Sequence, residues 1–168
     1  MRAPLDPARI PADPHVLRAL PPRRNNGCIC CTVRGDLIRI LGKLFRFKSD
    51  LDAIIIETTG LADPGPVAQT FFMDESIKEF ARLDGIVTLV DAKHIEQHLD
   101  EEKPEGVENE SVEQVCFADR LLLNKVDLVS PEDLTRVEAR LRKLNAYAPI
   151  VQCQNADVTM ENVHRATL

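Results

Sequence analysis

The feature that most constrains the fold of this chain is the alternation of short apolar runs with helical segments. The runs cover residues 51–56, 83–90, 121–123 and 150–152, and none follows the strict polar–apolar alternation of a strand with one face in water. Such runs predict strands covered on both faces, and helices between successive strands predict parallel connections. The sequence therefore predicts an α/β fold with a doubly wound, mostly parallel sheet, in which ligands bind at the carboxyl ends of the strands.

Four helices are expected from capping residues and apolar periodicity, and a further short helix is expected after Asp91. Asp36 is the expected N-cap of the first, Pro66 opens the second, and Ser130 followed by Pro131 starts the last. The expected helices cover residues 37–48, 66–74, 108–119 and 130–145.

Charge and composition exclude several classes of function. The formal net charge is −6, whereas a protein that binds a phosphate backbone needs a basic face. The chain has no Trp and one Tyr, which argues against stacking platforms for bases. No apolar run reaches the length of a membrane span, and the first residues lack the apolar segment of a signal peptide. We therefore expect a cytoplasmic protein with neither nucleic acid nor membrane as partner.

The first 24 residues differ from the rest of the chain. They contain six prolines, and five arginines against two aspartates, with no apolar periodicity. Such composition predicts a disordered segment at residues 1–24. Organelle targeting is a second interpretation of the arginines, although Ser is scarce and no amphipathic helix is evident.

Five cysteines are present, and three of them crowd together at Cys28, Cys30 and Cys31. The odd number and tight spacing do not resemble a secreted disulfide framework. Thiolates select soft or borderline metals such as Zn²⁺ or Co²⁺, and three of them leave a tetrahedral zinc one ligand short, which suits transfer. In an extended segment Cys28 and Cys30 would point to the same side. A redox pair and buried, inert cysteines remain alternatives, and Cys116 and Cys153 are expected in the core.

A second motif is N-K-V-D, in which Asn124, Lys125 and Asp127 directly follow the apolar run 121–123. An Asp carboxylate only accepts hydrogen bonds, so it can take two from the ring N–H and the exocyclic amine of guanine. Adenine presents a ring acceptor at that place, which leaves the carboxylate unpaired. The motif predicts a guanine site. A strand-end turn with ordinary charges is the alternative.

The third motif is I-I-I-E-T-T-G at residues 54–60. A buried strand that ends in an acid is typical of Walker B elements, in which the acid holds the hydration shell of Mg²⁺. Glu57 is the candidate acid, and Gly60 would let the backbone approach a terminal phosphate. The alternative is a strand followed by a glycine turn and a proline-initiated helix.

Together these motifs resemble the CobW-type branch of the P-loop GTPases, which is related to the nickel chaperones of hydrogenase and urease. The resemblance covers roughly residues 25–163 and rests on G-C-I-C-C-T-V-R-x-D-L, E-T-T-G-L-A-D-P and N-K-V-D-L-V. The stretch 98–110 resembles the eukaryotic zinc-associated members. The resemblance implies a GTP-dependent metal chaperone that uses GTP, Mg²⁺ and Zn²⁺ or Co²⁺, with an unidentified metal-requiring client enzyme. It assigns the roles by position: metal to Cys28, Cys30 and Cys31, Walker B to Glu57 and Gly60, and guanine to Asn124, Lys125 and Asp127.

The sequence departs from that family in one respect that bears on catalysis. Family members carry G-x-x-x-x-G-K-[ST] ahead of the cysteines, and these 168 residues contain no such run. We therefore expect residues 25–168 to form a partial nucleotide-binding domain, without its first strand, its P-loop and the family's C-terminal domain. Three interpretations remain open: a GTPase coupled to metal delivery, a non-hydrolysing module that holds metal or a partner, and a truncated domain that folds poorly.

Overall fold

The computed structural model describes residues 17–18, 29–44, 53–58, 60 and 62–164, and side chains are considered from residue 35 to residue 163 within these ranges. Five strands and seven α-helices occur in the described residues. The strands are β1 (Leu17–Arg18), β2 (Ile56–Glu57), β3 (Val87–Asp91), β4 (Arg120–Asn124) and β5 (Ile150–Gln152). The helices are α1 (Ile29–Leu44), α2 (Gly65–Met73), α3 (Glu75–Lys78), α4 (Ile95–Leu99), α5 (Glu110–Cys116), α6 (Pro131–Leu144) and α7 (Met160–His164).

All strand pairs are parallel, as the sequence predicts. β3, β4 and β5 form one sheet in that order, with Thr88 beside Leu121 and Leu121 beside Ile150. β1 pairs with β2 in a second sheet of two strands. Among the described residues no ladder joins β2 to β3, so the single predicted sheet is divided at that place.

The main core lies between the three-stranded sheet and the helices that follow its strands. The central strand β4 is buried along its whole length, as expected for a parallel strand covered on both faces. The expectation is wrong for β3, because Val87 and Leu89 on one of its faces are exposed. The buried apolar residues of this core come from β3, α4, α5, β4, α6 and the loops after β3, after α5 and before β5: Val90, Ala92, Ile95, Val115, Ala118, Leu121, Leu123, Val137, Leu141 and Ala148.

Helix α6 follows the sequence prediction closely. Ser130 is its N-cap, and its hydroxyl accepts a hydrogen bond from the backbone N–H of Asp133 at 3.1 Å. Pro131 occupies the first helical position, where its missing N–H costs nothing. The helix ends at Leu144, one residue before the predicted end.

The prediction for the start of α1 (Ile29–Leu44) is wrong. The helix begins at Ile29 rather than after Asp36. The predicted end at residue 48 lies outside the described residues. Asp36 lies inside it and forms an ion pair with Arg39 at 2.8 Å. An Asp that pairs with a residue one turn later is compatible with a helix interior, so its presence did not mark a helix start.

Smaller differences concern α5 and one cysteine. Helix α5 is shorter than predicted, because Asn109 caps it by accepting from the N–H groups of Ser111 and Val112 at 2.9 and 3.2 Å. Cys153 is buried as expected, whereas Cys116 is exposed at the last residue of the shortened helix. The core prediction was therefore wrong for Cys116.

The expectation for the proline-rich segment lies largely outside the described part of the chain. Of the proline-rich residues 1–24, the structure describes only Leu17–Arg18, which form β1. No helix in the described ranges is long and apolar enough to cross a membrane.

Candidate functional site

The N-K-V-D motif lies at the carboxyl end of β4, and the register of the sheet places it beside the end of β3. Asp91 and Asn124 are partners across the ladder, and the backbone N–H of Ala92 donates to the Asn124 carbonyl at 2.9 Å. Parallel strands bring their carboxyl ends to one edge of a sheet. The N-K-V-D motif therefore meets Asp91, which is distant from it in sequence.

Asn124 joins this edge to the loop that follows β5. Its side chain is buried, and its Oδ1 accepts from the backbone N–H of Ala156 at 3.0 Å and from the Cys153 thiol at 3.7 Å. Asn155 and Ala156 both have positive φ, at 53° and 56°. Such backbone conformations persist only where surrounding contacts hold them, and Asn124 supplies one such contact.

Lys125 also has a left-handed backbone, with φ 62° and ψ 34°. A short 3₁₀ helix, Val126–Leu128, follows it directly, and the Leu128 N–H donates to the Lys125 carbonyl at 3.0 Å. Asp127 lies in this 3₁₀ helix and is exposed. The turn at Lys125 therefore sets the direction in which the candidate guanine-binding carboxylate leaves the sheet.

The Asp91 carboxylate contacts three polar groups at this edge of the sheet. Its Oδ1 accepts from the Lys93 N–H at 2.9 Å, while its Oδ2 lies 2.7 Å from the Lys125 Nζ and 3.1 Å from the His94 Nδ1. Partial burial alone would raise the pKa of this carboxyl. The hydrogen bonds from Lys125, His94 and Lys93 outweigh burial and lower the pKa to about 2.

The second predicted motif, E-T-T-G, lies at the end of β2. Glu57 ends this strand and is exposed, as is Gly60. Gln114 of α5 fastens the turn, because its Nε2 donates to the carbonyls of Gly60 at 3.1 Å and Ala62 at 2.8 Å. Further along, Asp63 accepts from the N–H of Gly65 at 2.7 Å, at the start of α2.

A cavity of about 310 Å³ separates the E-T-T-G turn from the carboxyl end of β3. Gly60 lines one part of it, Asp91 another, and Gln114 and Ser111 of α5 a third. Glu57 and the three N-K-V-D residues are not among its lining residues. Asp91 therefore connects the cavity with the guanine motif, since it lines the cavity together with Gly60 and forms an ion pair with Lys125.

A small ion-pair cluster forms another part of the cavity wall. Lys103 lies 2.9 Å from the Glu110 carboxylate and 3.3 Å from that of Glu101. The hydrogen bond with Glu110 is the main reason that the pKa of Lys103 is raised, and the same bond lowers the pKa of Glu110. The Lys103 ammonium is therefore paired with two carboxylates of the cavity wall.

The cysteine triplet lies at the boundary of the described residues. Cys28 is outside them, whereas the backbone of Cys30 and Cys31 lies in the first turn of α1. The geometry of an extended segment therefore does not apply to Cys30 and Cys31. Within the described side chains, no three metal-ligating groups come together.

Sequence reasoning did not select two residues of this site, Asp91 and Gln114. Asp91 carries a usable signal, since it is an acid at the end of an apolar strand, as Glu57 is. Gln114 carries none, because its partner Gly60 lies 54 residues away and α5 has no motif. Only the docking of α5 beside the E-T-T-G turn gives Gln114 its role.

Most of the chain matches known proteins of one family. The family model described as the CobW/HypB/UreG nucleotide-binding domain matches residues 22–152. The chain is 45% identical over 128 residues to the zinc-regulated GTPase metalloprotein activator 1 of Schizosaccharomyces pombe, covering 76% of this chain and 30% of that protein. It is 34% identical over 139 residues to the zinc chaperone YjiA of Escherichia coli, covering 80% of this chain and 41% of that one.

One solved structure is similar in three dimensions, the crystal structure of Zn(II)-bound YjiA GTPase from Escherichia coli. The TM-score is 0.65 at 31% identity, and the match covers 85% of this chain and 41% of that chain. The chain thus spans well under half the length of these relatives.

Proposed function

The chain belongs to the CobW/HypB/UreG family, and we propose that it forms a guanine-nucleotide-binding part of a GTP-dependent zinc chaperone. Its parallel α/β fold is that of the P-loop GTPases, as the sequence predicted. The activity of a whole relative comes to this chain only as a proposal, because the chain spans 30% of the fission yeast protein.

The observation that carries the proposal is the organised N-K-V-D loop. Asn124 is buried and hydrogen-bonded to the loop after β5, Lys125 is fixed by Asp91, and Asp127 is left exposed on the next turn. A carboxylate free to accept two hydrogen bonds is the group that distinguishes guanine from adenine. We assign Asp127 to the base and Asn124 and Lys125 to the support of its loop.

The phosphate side of the nucleotide would lie toward the E-T-T-G turn. Glu57 is an exposed carboxylate at a strand end, which fits a water-mediated contact with Mg²⁺, and Mg²⁺ would neutralise phosphate charge when bound. Gly60 is exposed and lines the cavity, so its backbone can approach a phosphate.

Hydrolysis requires more than these contacts. Phosphoryl transfer depends on positioning and charge stabilisation, which a P-loop lysine and backbone amides provide. These 168 residues carry no G-x-x-x-x-G-K-[ST] run. We therefore expect residues 1–168 alone to hydrolyse no GTP above buffer background, and we expect turnover when a P-loop segment of an intact relative precedes Asn25. Turnover by the ungrafted chain that is lost in Glu57→Ala would contradict this assignment.

The cysteine triplet is the basis of a second candidate function, in which the chain holds metal or a partner without hydrolysis. Cys28, Cys30 and Cys31 are the proposed site for the transferred ion, Zn²⁺ or Co²⁺. Titration with Co²⁺ should produce thiolate charge-transfer bands, and the double change Cys28→Ser with Cys30→Ser should abolish them. Cys116→Ser is the matched control, because Cys116 is a lone exposed cysteine in α5. Unchanged bands in the double variant would reject the site.

The base preference tests the main proposal. The unmutated chain should bind GDP more tightly than ADP, and Asp127→Asn should reduce the preference, because an amide can present a donor or an acceptor. Asp119→Asn is a control, since that carboxylate accepts from the Ile86 N–H at 2.7 Å, at the amino end of β3. Equal affinity of the unmutated chain for GDP and ADP would reject guanine recognition.

A further inference from the structure

We propose that Asp91 is the residue that positions the guanine-recognition loop, and that it does so by holding the Lys125 ammonium. This inference rests on the proposed function, because it assigns a role within the same site. Asp91 itself need not touch the nucleotide. Its effect would pass through Lys125 to Asp127, two residues further along the chain.

The two oxygens of the Asp91 carboxylate have separate tasks. Oδ1 accepts from the Lys93 N–H, which closes the turn before α4. Oδ2 takes no part in that bond and faces the Lys125 Nζ at 2.7 Å and the His94 Nδ1 at 3.1 Å. A residue that served only as a turn cap would not need the second oxygen in this place, so the Lys125 contact is a separate function of the same side chain.

The Lys125 backbone explains why the loop needs such support. A left-handed conformation at a residue other than glycine costs about 1 kcal/mol or more and persists only when its surroundings hold it. Lys125 has φ 62°, and its side chain is 48% exposed, so packing alone does not hold it. The ion pair with Asp91 and the Leu128 N–H bond to the Lys125 carbonyl are the two polar contacts that close this turn.

The ladder between β3 and β4 makes Asp91 suited to this task. Asp91 is the cross-strand partner of Asn124, and the neighbouring Ala92 N–H donates to the Asn124 carbonyl at 2.9 Å. The anchor carboxylate therefore stands on a paired strand, beside the residue that precedes Lys125. Rigid elements hold a positioned group more accurately than loops do.

Asp91→Asn separates the two tasks, because the amide keeps one oxygen for the Lys93 N–H and loses the acceptor for Lys125. Lys125→Met removes the other partner while keeping the apolar stem. The first readout is amide hydrogen exchange at Leu128, whose N–H closes the turn, measured in the 168-residue chain. The second readout is affinity for GDP and for ADP. Glu96→Gln is the matched control, because it breaks the Glu96–Arg136 ion pair between α4 and α6 without touching the loop.

We expect each single variant to speed exchange at Leu128 and to weaken GDP binding about fivefold, the upper range for a partly exposed ion pair. The double variant should be no worse than either single one, because Asp91 acts through Lys125. ADP affinity should stay unchanged, and Glu96→Gln should behave like the unmutated chain.

Three results would overturn the inference. One is exchange at Leu128 in Asp91→Asn that matches Glu96→Gln. Another is additive effects in the double variant, which would mean that Asp91 acts independently of Lys125. The third is an equal rise in exchange at the core amide of Leu123, which would mean general destabilisation. If the unmutated chain binds neither GDP nor ADP, the proposed function fails, while the exchange data still decide the role of Asp91.

Discussion

The three-stranded sheet β3–β4–β5 and the two-stranded sheet β1–β2 carry different parts of the candidate site. The first holds the guanine motif on strands with a continuous ladder and a large buried core. The second holds Glu57 on a strand of two residues, and the neighbouring Ile55 is 80% exposed. We call residues 86–153 the guanine region and residues 53–80 together with α1 the switch region.

The N-K-V-D loop and the E-T-T-G turn differ in the contacts that hold them in place. Asp127 stands on a loop fixed by Asp91 and by the segment after β5. Among the described residues, the side chain of Gln114 holds Gly60 to the guanine region through a hydrogen bond to its carbonyl. Segments that respond to ligands belong to the less stable parts of proteins, where local opening costs little free energy. We therefore expect the N-K-V-D loop to be the more rigid of the two motifs and the E-T-T-G turn to be the one that rearranges.

The largest expected effect compares two leucines, each fully buried in a helix. Leu141 lies in α6 of the guanine region and Leu41 in α1 of the switch region. Leu141→Ala should lower the free energy of unfolding of the guanine region by about 3 kcal/mol, through lost burial and the cavity left behind. Leu41→Ala should speed amide exchange in α1 and α2 while leaving β3–β5 nearly unchanged. Equal effects of both variants on all amides would mean a single cooperative unit.

A second test removes a polar tie within the guanine region. Asn145 is the C-cap that follows α6. Its buried amide donates to the carbonyls of Val115 and Ala118 at 2.9 and 2.8 Å, and its oxygen accepts from the Ala148 N–H at 2.9 Å. Asn145→Ala should cost roughly 2–3 kcal/mol in chemical denaturation, because several buried backbone groups lose their partner.

Asn109→Ala is the comparator for that change, since Asn109 caps the start of α5 at a more exposed place. It should cost about 1 kcal/mol, the usual value for an N-cap. If both variants lose the same small amount of unfolding free energy, water replaces the hydrogen bonds of the Asn145 side chain, and the guanine region is less tightly packed around it than we infer.

A third test removes the hydrogen bonds by which Gln114 joins the two regions. Gln114→Leu removes the donor to the Gly60 and Ala62 carbonyls and should cost the loop about 1 kcal/mol or less. Exchange at the described amides of residues 60–65 should increase, while exchange in β4 stays constant. Gln97→Leu is the control, because Gln97 is exposed on α4. Equal exchange of the turn in both variants would contradict the assigned role of Gln114.

The smallest expected effect is the pH dependence of the Asp91 contact. The pKa of Asp91 is lowered from 3.8 to about 2, so the folded state holds the carboxylate more strongly than the unfolded chain does. The stabilisation is therefore complete above pH 3.8 and disappears as the pH falls through about 2. Carboxyl carbon shifts should titrate in that window and move to higher pH in Lys125→Met. A midpoint that does not respond to Lys125→Met would exclude the ion pair as the cause.

The sequence predicted some elements well because their signals are local. The N-cap and Pro131 of α6 lie next to each other, and the boundaries of that helix were correct within one residue. Strands β4 and β5 were apparent as apolar runs, and both are present. For α1 the local signal misled, because Asp36 pairs with Arg39 inside the helix instead of capping it.

The site was predictable only in part for the same reason. Asn124, Lys125 and Asp127 form one short motif, and their place at a strand end follows from the run before them. Lys125 and Asp91 are 34 residues apart in the sequence, so no local pattern predicts their contact. The functional assignments of the site residues all stay predictions: Glu57, Gly60, Asn124, Lys125, Asp127 and the three cysteines.

The sequence by itself determined the parallel α/β architecture and the family, because periodicity, strand-end acids and short motifs are properties of neighbouring residues. The tertiary structure alone decided which of these polar groups meet. It set Asp91 beside Asn124 through strand register, and it brought Gln114 to Gly60 through the docking of α5. Such contacts depend on how elements pack against one another, because a hydrogen bond or side-chain contact forms only between groups that packing brings within a few ångströms.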